Sequence, residues 1–400
     1  MTLPYSLYFH IPFCTHRCAY CDFNTYAGQE EMIPAYVEAL CKEIEFVGNA
    51  ARTARSRTGN GGVVEAHTIF FGGGTPSLLS PKHFDCIFEA IRDNFTLTDP
   101  VEITIEANPG TVSYENLLEL RRIGINRISY GVQSANMEEL RMLERAHNFF
   151  DVIEAVSNAR KAGFTNLNLD LIYGLPEQTV VTWQTTVKRI LDLYPEHISA
   201  YALTLEHGTP FGRWSSKGLL PLPDPDLAAE MYEWASEILE VNGYVQYEIS
   251  NWAKSGHECK HNLQYWHSLP YLAFGAGAHG YANGYRYSNV LRIKTYIERL
   301  ANPEPQLSNI EFPLSPASVN QHKQTLADDM SEYMLNNLRL VNAGAVDADF
   351  KSRFESGLMD VYAAEINELI HLGLLESDGD RIRLTKRGRL LGNQAFLRFV

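Results

Sequence analysis

Between residues 6 and 205 a short apolar run is followed, time after time, by a segment of helical periodicity, and this repeat restricts the chain to few architectures. The six runs cover 6–11, 67–71, 101–106, 127–132, 166–172 and 197–205. Most are rich in Ile, Leu, Val, Phe and Tyr, as strands buried on both faces are. Helical patterns lie between them at 33–47, 81–94, 114–123, 137–145 with 151–162, and 180–193. Ser80-Pro81 and Ser113 supply helix starts, and Gly124 and Gly163 follow two helix ends. Strand–helix–strand repeats of this kind give parallel pairing, so the expected fold is α/β, a parallel barrel or a partial (β/α)6 barrel. In such a barrel the reactive side chains gather where the strands end.

The sequence around those strand ends is specific. Directly after the first run comes Cys14-Thr-His-Arg-Cys18-Ala-Tyr-Cys21. Three thiolates at this spacing can hold three irons of a [4Fe–4S] cube, leaving the fourth iron open to a small chelating molecule. The alternative is a zinc site of these cysteines with His10 or His16, although structural zinc ligands usually come as two spaced pairs. The other cysteines, Cys41, Cys86 and Cys259, are scattered singly and read as inert thiols. After the second run, Phe71-Gly-Gly-Gly-Thr-Pro76 is expected to bare backbone groups to a ligand, or simply to form a tight turn. Glu106, Gln133 and Asp170 fall within or at the ends of later strands, and Arg145 closes the 137–145 helical pattern. A mid-strand aspartate is costly when unpaired, and Arg145 is its expected partner.

A formal charge of −14 speaks against nucleic acid and anionic membrane as partners. The first residues lack a basic, apolar leader and no run is long enough to span a bilayer, so the expected location is cytoplasmic. Residues 1–240 are expected to form the barrel, with a flexible insertion at 48–62. An aromatic and His-rich extension and linker follow at 241–305, then a winged-helix-like domain at 306–400. That last module carries 10 Lys/Arg against 12 Asp/Glu from Ser318 onward, which favours a lid or partner contact over DNA reading.

The Cys triplet resembles the signature of radical SAM proteins. With His10-Ile-Pro-Phe-Cys14, the Gly-Gly-Gly-Thr-Pro turn, Ile-Glu-Ala-Asn-Pro, Gly-Val-Gln-Ser, Leu-Asp-Leu-Ile-Tyr-Gly-Leu-Pro and the C-terminal module, the chain resembles the oxygen-independent coproporphyrinogen dehydrogenase-like family over nearly its whole length. The resemblance implies that Cys14, Cys18 and Cys21 hold the cluster. It places Tyr8, Tyr20, Gly73, Gly74, Thr75, Glu106, Gln133, Arg145 and Asp170 around S-adenosylmethionine; for Tyr8 and Tyr20, packing is the alternative. True dehydrogenases of the family carry a further cysteine two residues after the third ligand, where this chain has Phe23. His261-Asn-Leu-Gln-Tyr265-Trp266 matches the HNxxYW motif of the HemW-type haem chaperone branch. A histidine can ligate haem iron and aromatic rings can flank the macrocycle. Otherwise the three form a hydrogen-bonded packing cluster, and His257, Cys259, His267 or His279 is the ligand. What the resemblance implies is a haem chaperone that passes haem to an acceptor such as a respiratory haemoprotein. Transient contact with a membrane protein and a homodimer are both compatible with that role. The runner-up is an enzyme, oxygen-independent coproporphyrinogen III dehydrogenase, and a third reading is a radical SAM enzyme on an unrelated substrate.

Overall fold

The computed structural model describes residues 4–57, 63–302 and 310–400. The chain divides into two compact units, Met1–Ala235 with Pro270–His322, and Ser236–Leu269 with Lys323–Val400.

In the first unit the six expected strands form: β1 (Tyr5–Ile11), β2 (Val64–Gly73), β3 (Phe95–Ala107), β4 (Arg127–Gln133), β5 (Leu167–Tyr173) and β6 (His197–Ala202). They lie side by side in sequence order and every neighbouring pair is parallel. The crossovers are helical: α1 (Ile33–Arg57), α2 (Pro81–Asn94), α3 (Tyr114–Ile123), α4 (Met137–Met142), α5 (Phe149–Lys161) and α6 (Val180–Leu191). Successive strand residues point to opposite faces, and here the two faces differ in chemistry. Phe9, Phe71, Ile105, Ile128, Leu169 and Ile198 are buried on the apolar face, where Phe71 meets Phe84 of α2 edge-on at 5.1 Å. The alternate positions are polar: Ser6, Thr68, Thr104, Ser129, Asn168 and Ser199 are buried and need partners. They find several in one another, with Thr68 Oγ1 donating to Ser6 Oγ at 2.5 Å and Asn168 Nδ2 to Ser129 Oγ at 2.7 Å.

The 48–62 insertion is corrected in part. Residues 48–57 continue α1 as helix, and 58–62 lie outside the described residues. The reason is packing. Val47 and Ala51, four apart on one helix face, are buried, and Gly48 presses so closely on Asn94 that an added Cβ would lie 2.6 Å from its side chain. Arg52 then donates to Asn94 Oδ1 at 2.9 Å.

Residues 241–305, expected as an aromatic and His-rich extension and linker, contain ordered elements. Tyr271–Phe274 pairs parallel with β1, and His279–Ala282 and Tyr285–Asn289 extend the sheet antiparallel. A single buried carboxylate of α1, Glu43, ties this extension down. It accepts from Gly275 N at 2.8 Å, Asn289 Nδ2 at 2.8 Å, Tyr296 Oη at 2.6 Å and Ser315 Oγ at 2.6 Å.

The second unit holds helices Leu326–Asn337, Asp347–Phe354, Leu358–Val361 and Ala363–His371, and the hairpin Leu375–Asp378 with Arg381–Leu384. Ala345–Val346 adds a third strand to that hairpin, the arrangement of a wing. Tyr333, Met334, Leu338, Phe350, Ile366, Leu369 and Leu384 fill its core. Lys260–Trp266, a short helix bearing the HNxxYW residues, also belongs to this unit. Among the described residues no helix is long and apolar enough to cross a membrane.

Candidate functional site

The C-terminal ends of the strands and the cysteine loop enclose a cavity of about 500 Å³. Cys14, Cys18, Cys21, Tyr20, Gly73, Gly74, Thr75, Glu106, Gln133, Arg145 and Asp170 all line it, so residues spread over more than 150 positions of sequence meet in one place. Tyr8 does not line it. Its hydroxyl donates to His10 Nδ1 at 3.0 Å, while His10 Nε2–H donates to the Asn24 carbonyl at 2.9 Å. Tyr8 is therefore a brace behind the cysteine loop.

Each thiol has a polar neighbour. Thr75 Oγ1 donates to Cys14 Sγ at 3.6 Å, Arg145 Nη1 to Cys18 Sγ at 3.5 Å, and Thr25 Oγ1 lies 3.9 Å from Cys21 Sγ. Burial pushes the Cys14 and Cys21 thiols up, a tendency that bound iron reverses because a coordinating thiol is deprotonated outright. This donor set fits a cluster: three sulfurs face one cavity, each with a donor group at hand. The zinc alternative finds no support in a fourth ligand. Both ring nitrogens of His10 are engaged, His16 pairs with Glu144 at 3.3 Å, and among the described residues no three His, Cys, Asp or Glu converge on one ion position.

The glycine turn works differently from the expectation. Its N–H groups are not bare: Gly73 N donates to Glu106 Oε2 at 3.0 Å, Gly74 N to Ile11 O at 2.9 Å and Thr75 N to Phe13 O at 2.8 Å. A Cβ at Gly74 would lie 2.6 Å from Phe13 O and 2.7 Å from Ile11 O. Glycine is needed so that the turn can lie flush against the start of the cysteine loop and hold Cys14 beside Thr75.

Asp170 and Arg145 are likewise not each other's partners. Asp170 accepts from Ser129 Oγ and Asn168 Nδ2, each at 2.8 Å. Hydroxyl and amide donors on adjacent strands thus offset its burial. Arg145 donates to Asn108 Oδ1 and Gly131 O, both at 2.5 Å, and bonds Tyr20. Its Nε is buried with no partner among the described residues, an unused donor at the cavity wall. Asn108, unmarked on sequence grounds, links the two halves of the site because its Nδ2 also donates to Thr75 Oγ1 at 3.0 Å. Its signal was its place in Ile-Glu-Ala-Asn, two residues after Glu106 and one past the end of β3, where the site residues of a parallel barrel gather. Gln133 holds φ 68°, a left-handed conformation rare for a side chain of its size and typical of functional strand ends. Burial, then the neighbouring Asp170, push the Glu106 carboxyl up to about 8. Two buried carboxylates in one cavity favour a ligand that brings positive charge or hydroxyl donors.

In the second unit His261 is 1% exposed, and its Nε2 shares a 2.8 Å hydrogen bond with the Tyr265 hydroxyl, the rings meeting edge-on at 5.0 Å. The Arg339 guanidinium lies over Trp266, 4.4 Å from the ring centre. Of the other candidate ligands, Cys259 is buried and His279 is exposed. Burial pulls the His267 pKa down, with Arg353 adding to the effect.

Comparison with known proteins agrees with this geometry. The radical SAM superfamily model matches residues 8–190, and the HemN C-terminal domain model matches 324–391. The chain is 38% identical over 396 residues to the heme chaperone HemW of Bacillus subtilis (strain 168), covering 99% of each protein. With the heme chaperone HemW of Escherichia coli (strain K12) it shares 35% identity over 400 residues, 99% of this chain and 98% of that one. The solved structure of coproporphyrinogen III oxidase (HemN) from Escherichia coli, a radical SAM enzyme, superposes with a TM-score of 0.81 at 25% identity, covering 100% of this chain and 90% of that one. A radical SAM barrel with a HemN C-terminal domain, matched end to end by these relatives, places the chain in the family of the heme chaperones HemW.

Proposed function

We propose that this chain binds haem and delivers it to an acceptor haemoprotein, and that its first unit carries a [4Fe–4S] cluster and S-adenosylmethionine. The observation that carries the reading is the end-to-end similarity to proteins named heme chaperone HemW. The residue after Asp22 supports it further. Phe23 is 62% exposed at the cavity rim, where the dehydrogenase resemblance calls for a thiol.

Bound in the cavity, the cluster supplies an iron with an open position. The protein's residues supply the rest. Cys14, Cys18 and Cys21 would hold the three closed irons, and Arg145, with its unused Nε, suits the ligand's carboxylate. Glu106, fixed by Gly73 N–H, suits the ammonium group. Asp170 and Gln133 suit the ribose hydroxyls, with Asp170 held by Ser129 and Asn168 in an accepting geometry. Haem is assigned to His261, Tyr265 and Trp266. Ligation through His261 Nε2 requires the Tyr265 hydroxyl to give way, so haem uptake should include a local rearrangement of the Lys260–Trp266 helix. Cytoplasmic residence, a respiratory acceptor met through transient contact with a membrane protein, and dimerisation gated by cluster and ligand complete the reading.

Three outcomes check it. Haem added to anaerobically prepared protein should give an absorption band that saturates near about one equivalent and decays on mixing with an apo-haemoprotein. A band that never forms, or haem that never leaves, speaks against delivery. For the first unit, Asp170→Ala should weaken S-adenosylmethionine binding about tenfold by equilibrium dialysis, since a buried polar contact is worth roughly 1–3 kcal/mol; unchanged binding would move the ribose elsewhere. Glu106 adds a pH signature. Its raised pKa means the carboxylate forms only as pH climbs toward about 8, so affinity for the cationic ligand should rise about tenfold from pH 6.5 to 8. Glu106→Gln, which cannot ionise, should remove most of that rise, and an equally steep profile in the variant would reject the assignment.

A further inference from the structure

Around Trp266 the second unit leaves several buried polar atoms without hydrogen-bond partners. The Trp266 indole Nε1, the Arg339 Nε and the Glu248 Oε2 are all buried and make no hydrogen bond among the described residues. Buried polar groups are rarely left this way, and the two donors among them, on Trp266 and Arg339, point to a missing acceptor. The rest of the cluster is firmly built. Glu248, 0% exposed, accepts through Oε1 from Ser250 N at 3.0 Å and from the Asn251 amide. Ile249 N donates to the Arg339 carbonyl at 3.2 Å, which pins the Arg339 backbone beside Glu248.

The guanidinium itself is loosely held. Its Nη2 lies 3.9 Å from Glu248 Oε2, too far for a hydrogen bond, and among the described residues the side chain donates none. It rests over the Trp266 ring at 4.4 Å and keeps 28% of its surface exposed. A planar cation with five donors, reachable from solvent and stacked on an indole, matches a carboxylate attached to a flat apolar body.

We propose that Arg339 is the carboxylate-binding residue of the haem site, drawn from its loose contact with Glu248 by a haem propionate while the macrocycle packs at Trp266. The inference rests on the assignment of haem to the HNxxYW helix and names a residue outside that motif. The swap conserves charge pairing at the guanidinium: a long ion pair with a buried carboxylate gives way to direct hydrogen bonds with a solvent-facing one.

The test compares iron protoporphyrin IX with its dimethyl ester, which keeps the macrocycle and removes both carboxylates. Full-length protein is titrated with each and followed by haem absorbance. Wild type should bind the free acid about tenfold or more tighter than the ester. Arg339→Gln should lose that preference while its ester affinity stays at the wild-type value, and Arg339→Lys should recover part of it. Circular dichroism confirms that the variants are folded. An unchanged free-acid affinity in Arg339→Gln overturns the proposal, and so does an equal loss for acid and ester, which would mark Arg339 as purely structural. If wild type binds neither form, the haem reading itself fails and this inference with it. Wild-type binding of both forms without preference rejects only the role of Arg339.

Discussion

Replacing Cys18 with alanine is expected to lower the iron content after anaerobic reconstitution from about four atoms per chain to nearly none. Two thiolates and a bare hydrogen-bond donor cannot hold a cube whose third closed iron has lost its ligand. The effect should be specific to position. Cys86→Ala, on the exposed face of α2, should retain full iron and sulfide. Cys41, on α1, does not line the cavity and cannot stand in for the lost ligand. The loss should also carry S-adenosylmethionine binding with it, because in the proposed site the open iron would take up that ligand. Full iron in Cys18→Ala, or zinc as the only metal in anaerobically purified protein, contradicts the cluster assignment.

Glu43→Ala should be the most destabilising substitution outside the cysteines. Four donors from Gly275, Asn289, Tyr296 and Ser315 converge on its carboxylate, and removal strands them in a dry interior. Losses of this kind amount to about 3–5 kcal/mol, which for a body of this size lowers the melting temperature by roughly 10 °C. The consequence reaches the site. Gly275 sits against the His10 carbonyl, and Asn24 Nδ2 donates to Ala276 O at 3.0 Å and Leu291 O at 2.9 Å. Loosening this loop therefore frees the far end of the cysteine loop, and the cluster of Glu43→Ala should bleach faster in air than that of wild type. A melting temperature within about 2 °C of wild type would show that the carboxylate is not what holds the extension.

How much of this was legible in the residues follows from which forces act locally. The six strands were, because each is a short run rich in Ile, Leu, Val, Phe and Tyr set between segments of helical period. The cavity-lining set was too, since strand ends in a parallel barrel must converge. Tyr271–Phe274 was missed: four residues carry no readable period, and its strand character comes from pairing with β1 across more than 260 positions of sequence. Glu43 was missed for a related reason. On sequence it is one more charge in a helix, and only the arrival of four distant donors makes it a buried anchor. The Arg145–Asp170 pair was inferred from the cost of burying a charge. That cost is real, but Ser129 and Asn168 meet it with neutral donors that no spacing rule distinguishes from ordinary strand residues. The glycine turn was recognised as special, yet the close approach it permits is to the cysteine loop.

Haem binding, as opposed to porphyrinogen turnover, should separate this chain from the coproporphyrinogen dehydrogenases, and one side-by-side measurement decides between them. Anaerobically reconstituted protein is given haem in one cell, and coproporphyrinogen III with S-adenosylmethionine and a reductant in another. The account predicts stoichiometric haem uptake and no decarboxylated porphyrin above background. Catalytic conversion of coproporphyrinogen III without stoichiometric haem binding would contradict it and make Phe23 compatible with dehydrogenase activity.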